Sequence, residues 1–344
     1  MLKKLIYRLL ARRHFWRDAS FDELSELYVS MMMRSLALGI IGIFVPVFLL
    51  KSGYAFPDII GFFVMFFGTR VLADITGGYM VAKIGPKHTM LVSYGIQILA
   101  ALLFLTLHMY QWPLFWLAAT WGTANSLFFV AFHVDFSKVK HSSHGGKELG
   151  YVSVMERVGA ALGPITGGVI AMFFGAQYMF LPAVILLLLG LVPLFRTSEP
   201  VSINQHLDFR ALPIPKIQRD IFSYMAVTIE QTISVIMWPL FLALFVISDN
   251  VYLKLGGLVS LGFLVSIAAA YTIGKLVDGK KGKQLLEIGA ISNAVLHIFR
   301  PFVSTLPVAA LFSIINEVVT VSYRIPYHKG MYDAADHLPG HRIA

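Results

Sequence analysis

The chain of 344 residues contains no cysteine. Disulfides, thiolate metal sites and cysteine nucleophiles are therefore excluded. Charge is also scarce. Only 14% of residues are Asp, Glu, Lys or Arg, against about a quarter in soluble domains. A Gly-rich loop ending in Lys-Ser/Thr, which would cradle nucleotide phosphates, is missing, so nothing points to ATP hydrolysis. His141 and His144 stand in a Ser-containing loop without a third ligand at metal spacing. No enzyme motif is present, and no metal or cofactor is expected. A cleavable leader is not expected either, because Lys3, Lys4, Arg8, Arg12, Arg13 and Arg17 interrupt any apolar core near the N-terminus.

What the chain has is apolar surface: 57% of its residues are hydrophobic. In water such a chain would expose more apolar area than it could bury. Lipid is the solvent that fits. A bilayer core needs roughly 20 apolar residues per helix. Ten stretches qualify: 27–51, 58–83, 88–108, 112–132, 151–175, 177–195, 220–247, 251–277, 285–303 and 307–327. The fold class expected is an all-α polytopic membrane protein. Segment 1–26 alternates Leu and Ile with bases at helical spacing. It reads either as an amphipathic helix on an anionic membrane surface or as a solvated tail. Residues 27–195 form a six-helix bundle, 196–219 a linker with Pro200, Pro213 and Pro215, and 220–344 a partial bundle of four helices.

The bases set the expected orientation. They crowd the N-terminal segment and every second connector: Lys83 and Lys87, then Lys138, Lys140 and Lys147, then Arg196, Arg210, Lys216 and Arg219, then Lys275, Lys280, Lys281 and Lys283. The other side holds Lys51, Lys254 and Arg300. The N-terminus and the linker are thus expected in the cytoplasm, with the chain in the cytoplasmic (inner) membrane. This also accounts for the net charge of +9 without any nucleic acid.

Two internal matches share one spacing. Asn125, Val130, Phe132, His133, Phe136 and Lys138 of the fourth stretch align without gaps to Asn316, Val321, Tyr323, Arg324, Tyr327 and Lys329 of the tenth. Ile43 and Pro46 of the first align to Ile236 and Pro239 of the seventh. Both place partners six helices apart, which implies two parallel six-helix repeats related by an axis along the membrane normal. Gly146–Gly150 precedes the fifth helix, and its counterpart 340–344 ends the sequence. Ten helices of a twelve-helix design are expected, the second repeat being incomplete.

The loop after the eighth stretch reads Gly274-Lys-Leu-Val-Asp278-Gly-Lys280-Lys281-Gly282-Lys283, and the loop after the second reads Gly78-Tyr-Met-Val-Ala82-Lys83-Ile-Gly85-Pro86-Lys87. These resemble the paired loop signature of the major facilitator superfamily, although Ala82 stands where that signature has Asp. Gly159, Gly163, Pro164, Gly167 and Gly168 of the fifth helix resemble the Gly-Pro-rich motif of the family's proton-coupled exporters. Small residues one turn apart also let helices approach closely for packing alone. The fourth helix lacks the Arg that many proton-coupled members carry.

The resemblance implies alternating-access transport of a small solute, with helices 1, 4, 7 and 10 lining a central cavity. It points to export of a drug or metabolite, by antiport against protons, rather than to import, and to a monomer in the lipid bilayer. A non-transporting membrane fragment and a membrane-embedded lipid-modifying protein are the alternatives. Glu230 and Glu317 fall roughly 15 Å into their helices, near the midplane. With Gln231, Asn316, Asn125 and Arg34 they are the candidates for a substrate or proton pathway, or are satisfied by helix packing. Arg34, Arg70 and Asp74 are expected to form a charge cluster, structural or gating. Glu156, Arg157, His133 and Asp135 are expected at the interface, and His297 and Arg300 near the outer end of the ninth helix, snorkelling to the surface or binding an anion.

Overall fold

The computed structural model describes residues 21–139, 145–196, 198–199, 214–277 and 281–336. The amphipathic segment 1–20, His141 and His144, most of the 196–219 linker, Asp278, Lys280 and the last eight residues lie outside them. Every regular element among the described residues is a helix.

Nine of these helices are long and apolar enough to cross a membrane. They are α1 (Ser25–Lys51), α2 (Phe56–Ile84), α3 (Pro86–Leu105), α4 (Leu114–Phe136), α5 (Val154–Phe174), α6 (Ala176–Phe195), α7 (Gln218–Val246), α8 (Val251–Gly274) and α10 (Leu306–His328). Between α8 and α10 runs α9 (Gly282–Phe299), 18 residues long, whose first turns carry Lys283 and Glu287. The protein is an integral membrane protein.

Local sequence explains the tight corners. α2 starts on Pro57, and the Asp58 carboxylate accepts from the Ala55 amide at 3.1 Å. It ends on Gly85, whose φ of +89° favours a residue without a Cβ. Pro86 then opens α3, so one residue turns the chain. Glu199, from the segment after α6, covers this corner. Its oxygens accept from the Lys87 and His88 amides at 3.4 and 3.3 Å and from His88 Nδ1 at 3.0 Å. These are amides that a helix N-terminus leaves without intrahelical partners. Buried Lys87 also pairs with buried Glu26 at 3.3 Å.

The core of the N-terminal half is aromatic. Phe104 stacks on Phe180 at 5.1 Å, and Phe48, Phe62 and Trp121 meet Phe104 edge-on. The glycines of α5 form a seam. A Cβ at Gly159 would lie 2.7 Å from the Leu36 nitrogen, and one at Gly163 would lie 2.5 Å from Gly39 Cα. The opposite edge of α5 meets α8, where a Cβ at Gly168 would lie 2.6 Å from the Tyr252 carbonyl oxygen. One small-residue helix thus packs against its own half and against the other.

Both matched segments carry a helix irregularity just before the proline. α1 tightens into a 3-10 turn at Gly42–Phe44 before Pro46. α7 widens into a π-helical turn at Ile233–Met237 before Pro239. Proline has no N–H to give, so the carbonyls of Gly42 and Val235, four residues back, cannot make the usual α-helical bond; the 3-10 turn pairs carbonyls with amides three residues on, and the π turn with amides five on.

Candidate functional site

A cavity of about 350 Å³ lies between the two halves. α1 contributes Arg34, Ser35 and Gly42, and α5 contributes Glu156 and Pro164. From the second half come Ser234, Val235 and Trp238 of α7, Gly262 and Phe263 of α8, and Asn316 and Glu317 of α10. Arg300, just past α9, completes the wall. Most of the remaining lining is aliphatic.

The halves close beyond Gly42. Phe44 meets Tyr252 edge-on at 5.6 Å, and Val45 to Leu49 are buried in one core with Leu240, Val251 and Leu255. At the other end residues 218–226 of α7 are all exposed. The cavity is therefore sealed on the side where α1 ends.

Arg34 is only 1% exposed. One guanidinium nitrogen, Nη2, donates to Asn125 Oδ1 at 2.9 Å, and the group lies 4.2 Å over the Phe128 ring. Its Nη1 has no hydrogen-bond partner among the described residues. Asp74 instead receives the Ser126 hydroxyl, and Arg70 lies 5.8 Å from the Phe66 ring centre. The expected Arg34–Arg70–Asp74 ion-pair cluster does not form among the described residues. A planar guanidinium finds a nearer aromatic face and amide, and the α4 serine satisfies the carboxylate.

Arg300 is the second correction. Instead of snorkelling outward it is 7% exposed. It donates to Ser234 Oγ at 3.1 Å and to Asn316 Oδ1 at 2.6 Å, and lies 5.1 Å over Trp238. The matched asparagines Asn125 and Asn316 thus each accept from an arginine. Glu230 sits behind this wall. It accepts from Tyr323 at 2.5 Å and from Ser234 at 2.9 Å, and lies 3.4 Å from His297 Nε2. Charges in a low-dielectric interior persist only when paired or hydrogen-bonded. The Arg300–Ser234–Glu230–His297 ring meets that condition.

Of the expected pathway residues, Arg34, Asn316 and Glu317 line the cavity, while Glu230, Asn125 and Gln231 lie outside its wall. With its amide oxygen turned toward Arg324, Gln231 accepts from both guanidinium nitrogens at 2.7 and 3.0 Å. Glu156, expected at the interface, is on the wall. Neither it nor Glu317 forms a side-chain hydrogen bond or ion pair among the described residues. Glu317 Cγ lies 3.0 Å from the place of a Cβ at Gly262, so that glycine makes room for it. The motif glycines Gly159, Gly163, Gly167 and Gly168 serve the helix seams. Gly85 forms the α2–α3 turn, Lys83 is exposed, and Gly78, Gly274 and Gly282 lie in or beside helices.

The profile of the Major Facilitator Superfamily matches residues 27–325, nearly all of the described chain. The chain belongs to the major facilitator superfamily. This family consists of transporters rather than enzymes, so the chain is a secondary transporter of a small molecule across a lipid bilayer. No curated protein sequence matches it. Family membership gives the cavity between the halves its meaning as a place a solute can occupy. Sequence reasoning missed Glu156, Ser234 and Trp238 there. Ser234 had a signal, one turn after Glu230 on the same helix face.

Proposed function

We propose that this transporter is proton-coupled through Glu317 and works by alternating access of the central cavity. The observation that carries the reading is the position of Glu317: a carboxylate without an ion-pair partner among the described residues, on the wall of a cavity between two halves. A carboxylate's affinity for a proton changes when its surroundings change from closed and dry to open and wet. Rocking of the halves would make that change. Glu230 belongs to the ring that anchors Arg300, so it supports the wall instead of carrying the proton alone.

Export, by exchange of a drug or metabolite for protons, is the direction we assign, on the likeness of the Gly159–Gly168 run to that of the family's exporters. We assign the N-terminus and the 196–219 linker to the cytoplasm of an inner membrane, from the distribution of bases. The packed end at Phe44 and Tyr252 then faces outward, and the cavity is open toward the cytoplasm. We take the working unit to be the monomer, since the cavity is built within one chain.

The test is solute-driven proton movement in vesicles loaded with a pH dye, with a panel of drugs and metabolites added in turn. Glu317→Gln keeps size and hydrogen bonding but cannot titrate. It is expected to abolish proton-linked flux while solute exchange persists. Normal proton-linked flux in Glu317→Gln would remove this residue from the pathway.

A further inference from the structure

We infer that the cavity receives a small zwitterion with an apolar body, one carrying an acidic and a basic group on an aromatic or aliphatic frame. This rests on the transport reading and specifies its substrate.

Two kinds of group at the cavity wall have opposite charge, and neither is in an ion pair among the described residues. Arg34 supplies the first. It is 1% exposed, it lines the cavity, and its Nη1 makes no hydrogen bond among the described residues. Among the described residues no carboxylate forms an ion pair with it; its neutral partners are Asn125 and the Phe128 ring. A buried guanidinium nitrogen without an acceptor is costly, and carboxylate or phosphate oxygens match its fork. Reaching Nη1 requires a side-chain shift at the wall. Phe129, also lining the cavity with its ring centre 5.9 Å from the guanidinium, is placed to make it.

Acceptors supply the second kind. Glu156 and Glu317, one from each half, line the same cavity and form no ion pair among the described residues. Arg300 does not offset these acceptors. Three of its five N–H donors are directed to Ser234, Asn316 and the His297 ring.

A plain anion would satisfy Arg34 but meet two carboxylates. A plain cation would leave Arg34 buried without an acceptor. A zwitterion satisfies both. The apolar remainder of the wall, including Leu38, Ile43, Trp238 and Phe263, suits an uncharged frame. The volume of about 350 Å³ lies at the small end of ligand pockets, which favours a compact molecule over a long-chain lipid.

Three compounds with one frame separate the cases: phenylalanine, 3-phenylpropionate and phenethylamine. Binding of tritiated phenylalanine to the purified full chain in detergent is measured, with each of the three as competitor. Saturable binding is expected, with the two singly charged analogues weaker by at least about tenfold. Arg34→Gln is expected to weaken phenylalanine and to erase its advantage over phenethylamine. Glu156→Gln combined with Glu317→Gln is expected to erase its advantage over 3-phenylpropionate. A misplaced wall would weaken all three ligands alike, so the change in ranking is the diagnostic readout. If Arg34→Gln fails to fold, the wild-type ranking decides alone. Equal binding of either analogue, or no phenylalanine binding, overturns the inference. Should that happen while Glu317-dependent proton movement persists with another solute, the substrate class is wrong and the transport reading stands. Intact zwitterion selectivity without such proton movement would instead remove the coupling reading.

Discussion

At the residue scale, the deciding contrast is between charges that are tied and charges that are not. Arg300 is tied to Ser234 and Asn316, and Ser234 passes the link to Glu230. Removing one member of such a buried set leaves the rest without compensation, a loss of about 3–5 kcal/mol. Arg300→Met is therefore expected to lower the thermal midpoint of the purified protein strongly. Arg300→Met with Glu230→Met should recover part of the loss, because the stranded carboxylate is gone. Equal destabilisation by the single and the double substitution would count against the ring. Gly262→Ala is a finer probe. Its Cβ would press on Glu317 Cγ at 3.0 Å, so proton-linked flux should fall while stability changes little.

At the element scale, α5 is the helix whose sequence pattern is most restrictive. Its glycines face backbone on two sides, so a larger side chain there must push helices apart. Overpacking typically costs about 1–3 kcal/mol and occasionally more. Gly163→Val, against Gly39 on α1, is expected to reduce the yield of monodisperse protein and its thermal midpoint. Gly95→Ala is the control, since nothing lies within 4 Å of a Cβ there. Its midpoint should stay near wild type. A comparable loss in both would mean that close helix approach is not what the α5 glycines provide. The corner between α2 and α3 is the other restrictive element. The loop signature's missing acid, replaced by Ala82, finds a counterpart in two carboxylates from elsewhere: Glu26 on Lys87, and Glu199 on the first amides of α3.

At the scale of the whole molecule, the absence of cysteine makes accessibility directly measurable. A single cysteine at Ser35 lies in the cavity, and one at Ser248 lies exposed between α7 and α8. With a membrane-impermeant thiol reagent, Ser35→Cys is expected to react from the cytoplasmic face and Ser248→Cys from the opposite face. Reaction of both from one face would overturn the assigned orientation or the sealed end at Phe44 and Tyr252. Reporter fusions at Gln205 and Gln111 give an independent reading, with Gln205 expected inside.

Sequence by itself determined the solvent, the helices and the family. Long apolar runs have one low-energy form in lipid, since backbone polar groups there must pair within the segment. The match of Asn125 to Asn316 and of Pro46 to Pro239 is likewise a property of the sequence alone. Only the tertiary structure decided which charges meet. Helical spacing gives a residue's depth, but rotation about the helix axis and the reach of long side chains choose its partner. Hence Arg300, placed near a helix end by counting, turns inward to Asn316. Glu230, at the right depth, sits behind the cavity wall, and Glu156, assigned to the interface, lines the cavity. Arg34 was singled out by its place in an apolar helix. That one of its nitrogens is left without an acceptor depends on Asn125 and Phe128 of another helix filling the rest of its surroundings, and no pattern within α1 encodes that.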